Sequence, residues 1–121
     1  MDVPIINLEE KFSRINNFWD PKRIAQVNDY QVKIARIQGE FVWHSHPETD
    51  EFFLVVEGSL IIHLPDQKLT LHSGECCVIP AGMKHKPAAE KECRIVMFEP
   101  AGTLNTGDAG GERTVSRVKA I

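Results

Sequence analysis

Residues 39–58 read Gly39-Glu-Phe-Val-Trp-His44-Ser-His46-Pro-Glu-Thr-Asp-Glu51-Phe-Phe-Leu-Val-Val-Glu-Gly58. Successive side chains of a strand alternate between faces, so His44 and His46 point the same way. The stretch from Pro47 to Asp50 is a turn signal, because Pro presets φ and Asp caps turns. Glu51 then opens the apolar run Phe52 to Val56, which closes at Gly58. Two imidazoles and a carboxylate thus converge from two neighbouring strands joined by a tight loop, the arrangement a divalent metal requires.

A fourth donor comes later. Gly74-Glu-Cys-Cys-Val-Ile-Pro80-Ala-Gly82-Met-Lys-His85 reads as a turn, a short buried strand and a Pro-x-Gly bend that ends at a histidine. Together the two stretches supply three His and one Glu from separate strands.

In these two stretches the chain resembles the cupin superfamily, whose motifs are G-x5-H-x-H-x(3,4)-E-x6-G and G-x5-P-x-G-x2-H-x3-N. The first runs through His44, His46, Glu51 and Gly58, with Gly39 one residue closer to His44 than the motif has it. The second runs through Gly74, Pro80, Gly82 and His85; its final Asn is Ala89, a non-ligand position. Among cupins the chain is most similar to small single-domain proteins likened to mannose-6-phosphate isomerase. The resemblance implies an all-β double-stranded β-helix, a jelly-roll barrel with a metal at its centre, and a homodimer.

Length and composition set the bounds. At 121 residues, one domain with a proper core is expected. It divides into an N-terminal arm or short helix (1–29), a barrel core (30–100), and a C-terminal loop and edge strand (101–121). With 14 basic against 17 acidic residues and no basic patch, nucleic acid and anionic membranes are poor partners. Apolar runs fall far short of the ~20 residues of a membrane helix, and the N-terminus has no basic, then apolar, leader. Three cysteines, two of them adjacent, make no disulfide framework, which places the chain in a reducing cytoplasm.

Within the arm, Asn7 is a good N-cap, Glu9 and Glu10 fall in the first turn, and Leu8, Phe12 and Ile15 make one apolar face. The arm covers the barrel or, alternatively, a second subunit. From Tyr30 onward strands are expected at 30–38, 41–46, 51–57, 59–64, 68–72, 75–79 and 92–99. This rhythm of short strands argues for a sandwich or barrel and leaves no room for a crossover helix. Residues 100–111 are rich in turn formers and read as a loop, followed by an edge strand at 113–118.

The donor set His44, His46, Glu51 and His85 suits one divalent transition metal: iron, manganese, nickel, cobalt, copper or zinc. An octahedral ion held by four protein ligands keeps open positions for water or substrate, whereas a tetrahedral zinc is nearly closed. Asp50 and Glu48 are rival carboxylates, but Glu51 keeps the six-residue spacing to Gly58; either rival could support the ligands from behind. His63 and His72 lie outside both motifs and read as surface or partner-facing positions. Cys76, Cys77 and Cys93 read as small strand residues. The pocket is expected to be lined by Ile34 or Arg36 with Phe53, Ile61, Met97 and Phe98, and an inward Arg36 would point to an anionic substrate.

No Ser/His/Asp triad, phosphate-cradling Gly loop or CxxC is present, and no residue can be named as a general acid or base. The leading expectation is a metal-dependent enzyme on a small molecule, of oxygenase, isomerase or cyclase type. The alternatives are a module that binds or senses a small sugar or carboxylate, and a barrel merely stapled by its metal.

Overall fold

The computed structural model describes residues 2–121. A five-residue helix, α1 (Leu8–Phe12), is followed by β1 (Lys22–Val27), β2 (Tyr30–Glu40), β3 (Glu51–Glu57) and β4 (Ser59–His63). Then come β5 (Lys68–His72), β6 (Cys76–Ile79), β7 (Lys86–Pro100) and β8 (Lys119–Ala120). Among the described residues all eight strands belong to one folded-over sheet, ordered β5-β4-β7-β2-β1-β8, with β3 pairing β7 and β6. The sheet does not close on itself, and the architecture is a jelly roll with a short helix.

β7 is the spine. Its 15 residues are enough to bend from one side of the roll to the other. Lys86, Pro87 and Ala88 pair with β4, Ala88, Ala89 and residues 93–100 with β2, and residues 94–98 with β3. The register against β2 slips between Ile37 and Gly39, where Gly39 takes φ 83° and lets the strand bend. Gly58 joins β3 to β4 with φ 91°, and a Cβ there would lie 2.8 Å from the Glu92 carbonyl oxygen. Only glycine fits such a close approach of two backbones.

β2 is buried on both faces, and this fixes what lies inside. Ala35 and Ile37 point inward and pack with Phe53, Val55, Leu60, Ile62, Cys93 and Ile95. Ile34 points outward and is roofed by Phe12 and Ile15 of the N-terminal segment. Asn7 caps α1 by accepting from Glu10 N at 2.9 Å, so the expected arm helix forms and lies on the outside of the roll. Burying Phe12 and Ile15, at 1% and 2% exposure, contributes about 2 kcal/mol each.

Three local expectations are corrected. Lys22–Val27, left in the arm by the sequence, is a strand along the edge of β2. Residues 41–46 form no continuous strand; only His44 pairs, in a two-residue bridge with His85. Residues 113–118 are not the edge strand. Asn105 holds that segment through Arg113 O and Val115 N, and only Lys119–Ala120 pairs, in parallel, with β1. Side-chain anchoring outweighs the strand propensity of that segment.

Candidate metal centre

The backbone sets the donors before their side chains meet. His44 N donates to His85 O at 3.0 Å and His85 N to His44 O at 2.9 Å, so these two histidines face each other as a cross-strand pair. Gly82 N donates to His46 O at 2.9 Å and ties the Pro-x-Gly bend to the second histidine. Glu51 is the first residue of β3, paired with Ile79 at the end of β6. Asp50 does not join the donors: its Oδ1 accepts from Ala81 N at 2.9 Å, bracing the loop before β3 against the bend. Glu48 lies exposed beside the cleft next to His46.

The structure brings His44, His46, Glu51 and His85 together, with one donor atom from each lying within 4.8 Å of all the others. All four are 5% exposed or less. His44 Nδ1 faces Val42 O at 2.9 Å and His85 Nδ1 faces Met83 O at 3.0 Å. A carbonyl can only accept, so these contacts assign the proton to Nδ1 and leave a lone pair on each Nε2. His85 Nε2 lies 3.2 Å from Glu51 Oε1, and His46 Nε2 lies 3.2 Å from Glu51 Oε2. The His46 approach lacks hydrogen-bond geometry, so its Nε2 is buried without a partner.

That arrangement fits a cation. Buried lone pairs that converge without donors between them are costly unless a positive charge joins them. Burial pushes the His44 ring down to about 4, so it is a neutral ligand at ordinary pH. Burial opposes ionisation of Glu51, but hydrogen bonds and charge from His46 and His85, made when a proton rather than a metal sits on Nε2, outweigh it and hold the carboxyl down at about 2. Burial also lowers His46, yet the charge and approach of Glu51 draw that ring upward. The cage therefore presents a carboxylate among imidazoles, a hard and borderline donor mixture suited to first-row divalent ions.

Beside the cage is a narrow, mostly apolar cavity of about 40 Å³ that opens outward. His44 and Glu51 form part of its wall, with Trp19, Phe41, Phe53, Ile95 and Met97. Phe53 and Met97 are thus where the sequence places them, opposite one another on β3 and β7. Arg36, Ile61 and Phe98 are not. Arg36 lies on the outer face of β2, clasping Glu92 through two 2.9 Å bonds, donating to Ile15 O and covering the Phe18 ring. Ile61 faces a groove with Ser59, Thr70 and Glu92 on the other side of β4. Phe98 is paired with Phe52 on the outer face and packs on Tyr30 at 5.0 Å between ring centroids. Phasing β2 by Ile34 and Arg36 selects the wrong face, and one step in a strand reverses every side chain. Ile34 is buried for a different reason, beneath the N-terminal segment.

Trp19, Phe41 and Ile95 are apolar wall residues that the sequence reading does not name, and two charged ones escape it as well. Lys33 and Glu99 are 3% and 2% exposed, and both face the cavity. Burial and the nearby charge of Glu51 push the Glu99 carboxyl up to about 7, with Lys33 and His46 opposing. The available signal was the phase of β2: Ala35 and Ile37 alternate with Lys33, so whichever face holds them also holds a lysine. His63 sits near Trp43, and His72 is bonded to Ser59 Oγ at 3.0 Å; neither reaches the cage. All three cysteines are free thiols.

The model of the cupin domain matches residues 32–99. A cupin-2 domain protein from Shewanella frigidimarina is 52% identical, covers 79% of this chain and 94% of its own, and superposes with a TM-score of 0.79. The uncharacterized protein YdbB of Bacillus subtilis is 41% identical over 52% of this chain and 57% of its own length. The match spans about half the length of the curated relatives. The hydroquinone 1,2-dioxygenase of a Sphingomonas species, solved with 4-hydroxybenzoate bound, is 20% identical with a TM-score of 0.73; it covers 82% of this chain and 32% of its own, and shares the fold.

Proposed function

Because the chain belongs to the cupin family, we propose that its cage holds one divalent transition metal and that the protein is a metal-dependent enzyme on a small molecule. The supporting observation is that His44 and Glu51 serve at once as cage donors and as cavity wall, so anything in the cavity lies against the centre. A bound ion would supply Lewis-acid polarisation or dioxygen activation. The chain's own residues would do the rest. The two Nδ1–H groups, held by Val42 O and Met83 O, fix the rings of His44 and His85, and the apolar wall keeps bulk water out.

The reaction is of oxygenase, isomerase or cyclase type. A dioxygenase among the fold neighbours makes dioxygen the first co-substrate to test, and the likeness to mannose-6-phosphate isomerase-like cupins makes sugar phosphates the second. The largely apolar wall also suits a module that binds a small molecule without turning it over, and turnover by the metal-loaded protein separates the two. The working unit is a homodimer of one-domain chains. Val3 and Ile5, 88% and 96% exposed, give the N-terminal segment an apolar edge for a second copy. No helix among the described residues is long and apolar enough to cross a membrane. The three free thiols suit a reducing cytoplasm.

The test is elemental analysis of protein purified without a metal-affinity tag, beside His46→Ala. We expect about one divalent metal per chain in the wild type and a loss of most of it in the variant. A wild type that takes up no iron, manganese, nickel, cobalt, copper or zinc overturns the proposal.

A further inference from the structure

Lys33 and Glu99 lie inside the cavity but outside the cage, and their hydrogen bonding is incomplete. They come from the adjacent inner faces of β2 and β7: Lys33 is opposite Met97, and Glu99 is one inward position further along. Lys33 Nζ donates to Thr103 O at 3.2 Å. Glu99 Oε2 is 3.7 Å from Nζ, too far for a hydrogen bond, and has no other partner. An ammonium carries three donors, so Lys33 also has N–H groups to spare. A buried charge without its hydrogen bonds is among the costliest features a core can hold. Nothing in the fold requires it here, where the neighbouring inward residues are Ala35, Ile37 and Ile95.

The chemistry of the gap is selective. A carboxylate or phosphate entering it would meet Glu99, and an amine would meet Lys33. A neutral hydroxyl meets both demands, because its oxygen accepts from Lys33 while its hydrogen is donated to Glu99 Oε2. The remaining wall offers Trp19, Phe41, Phe53 and Met97 to the body of the ligand. We propose that Lys33 and Glu99 form a hydroxyl-reading subsite, selecting small, mostly apolar molecules that carry an alcohol or phenol group. The inference rests on the reading of the cavity as a substrate site next to the metal cage.

The test uses the full chain, zinc-loaded and metal-free in parallel, titrated with phenol and with fluorobenzene while protein amide shifts are followed by NMR. The two probes share a ring and differ in the hydroxyl. The wild type is expected to bind phenol about tenfold or more tightly than fluorobenzene, the worth of one well-made pair of buried hydrogen bonds. Lys33→Met should bring the ratio close to one. Since that variant leaves a buried carboxylate alone and can fail to fold, Lys33→Met/Glu99→Leu, which removes both charges, is measured beside it. Equal affinities in the wild type, no detectable phenol binding, or a ratio that survives in the double variant would overturn the subsite. Zinc uptake keeps the two readings apart. A chain that takes no metal yet prefers phenol refutes the cage alone, and one that takes zinc with a ratio near one refutes the subsite alone.

Discussion

Asp108 grips Ser45, the residue between the two cage histidines of the first motif. Its Oδ1 accepts from Ser45 N at 2.7 Å, its Oδ2 accepts from Ser45 Oγ at 2.9 Å, and its own N donates to Ser45 O at 3.0 Å. Gly107 makes this approach possible, since a Cβ there would sit 2.1 Å from Ser45 O. The C-terminal loop is thereby fastened to the loop that aims His44 and His46. Those bonds also hold the Asp108 carboxyl below its ordinary range.

Asp108→Ala should therefore weaken metal binding without unfolding the protein. Partners that orient ligands are worth 10–100-fold in metal affinity, and Asp108 acts one residue away from the ligands, so a loss of about tenfold is expected. Competition against a fluorescent zinc chelator measures it. Asp108→Asn retains one acceptor for Ser45 N and should lose less.

Metal should also stabilise the fold. Before an ion binds, the four donors are buried together and His46 Nε2 has no partner. Ligand at 1,000 times its Kd adds about 4 kcal/mol to unfolding, which for a chain of this size is a rise of roughly 10–20 °C in Tm. The rise should be reversed by a chelator and absent in His85→Ala. A differential scanning calorimetry trace unchanged by saturating zinc, manganese and iron would contradict this.

The legibility of this chain in its sequence is uneven for physical reasons. Metal donors must be specific residue types at rigid spacings, so His44, His46, Glu51 and His85 stand out and their convergence follows from strand alternation. The pocket wall obeys a weaker rule, because apolar residues occupy both faces of a strand buried on both sides. On β2 the outer Ile34 is as hidden as the inner Ile37, each 0% exposed, because α1 and Ile15 roof one face and the core fills the other. Periodicity alone does not choose the phase, so Ile34 and Arg36 read as candidates for the inward face although both lie on the outer one. Lys33 is hidden for the same reason: an inward lysine looks like the polar half of an ordinary alternation.

The clasp of Arg36 on Glu92 gives a pH prediction. Arg36 holds the Glu92 carboxyl down at about 2, against burial and with help from Arg94. A depressed carboxylate pKa contributes stability that is present above the unfolded value, about 4.3, and is lost as pH falls toward 2. Both side chains are partly exposed, at 22% and 34%, so solvent screening limits the pair to about 1 kcal/mol. Glu92→Gln should lower Tm by about 3 °C at pH 7 and by much less at pH 3, with metal uptake unchanged at neutral pH. A gap that widens on acidification would contradict the assignment.

Gly58 and Gly39 separate backbone strain from steric contact. Both take positive φ, 91° and 83°, so alanine at either position incurs the left-handed cost of about 1 kcal/mol. At Gly39 the new methyl meets nothing within 4 Å, whereas at Gly58 it meets Glu92 O at 2.8 Å and Cys93 Cα at 3.1 Å. Those are backbone atoms of β7 next to its pairing with β3, and Cys93 is itself paired with Ile37 of β2, so they cannot move alone. Gly58→Ala should therefore cost about 3 kcal/mol against about 1 kcal/mol for Gly39→Ala, read as midpoints of urea unfolding at matched slope. Equal losses would mean that β7 yields at Glu92, the end of the stretch 90–92 that pairs with no neighbouring strand.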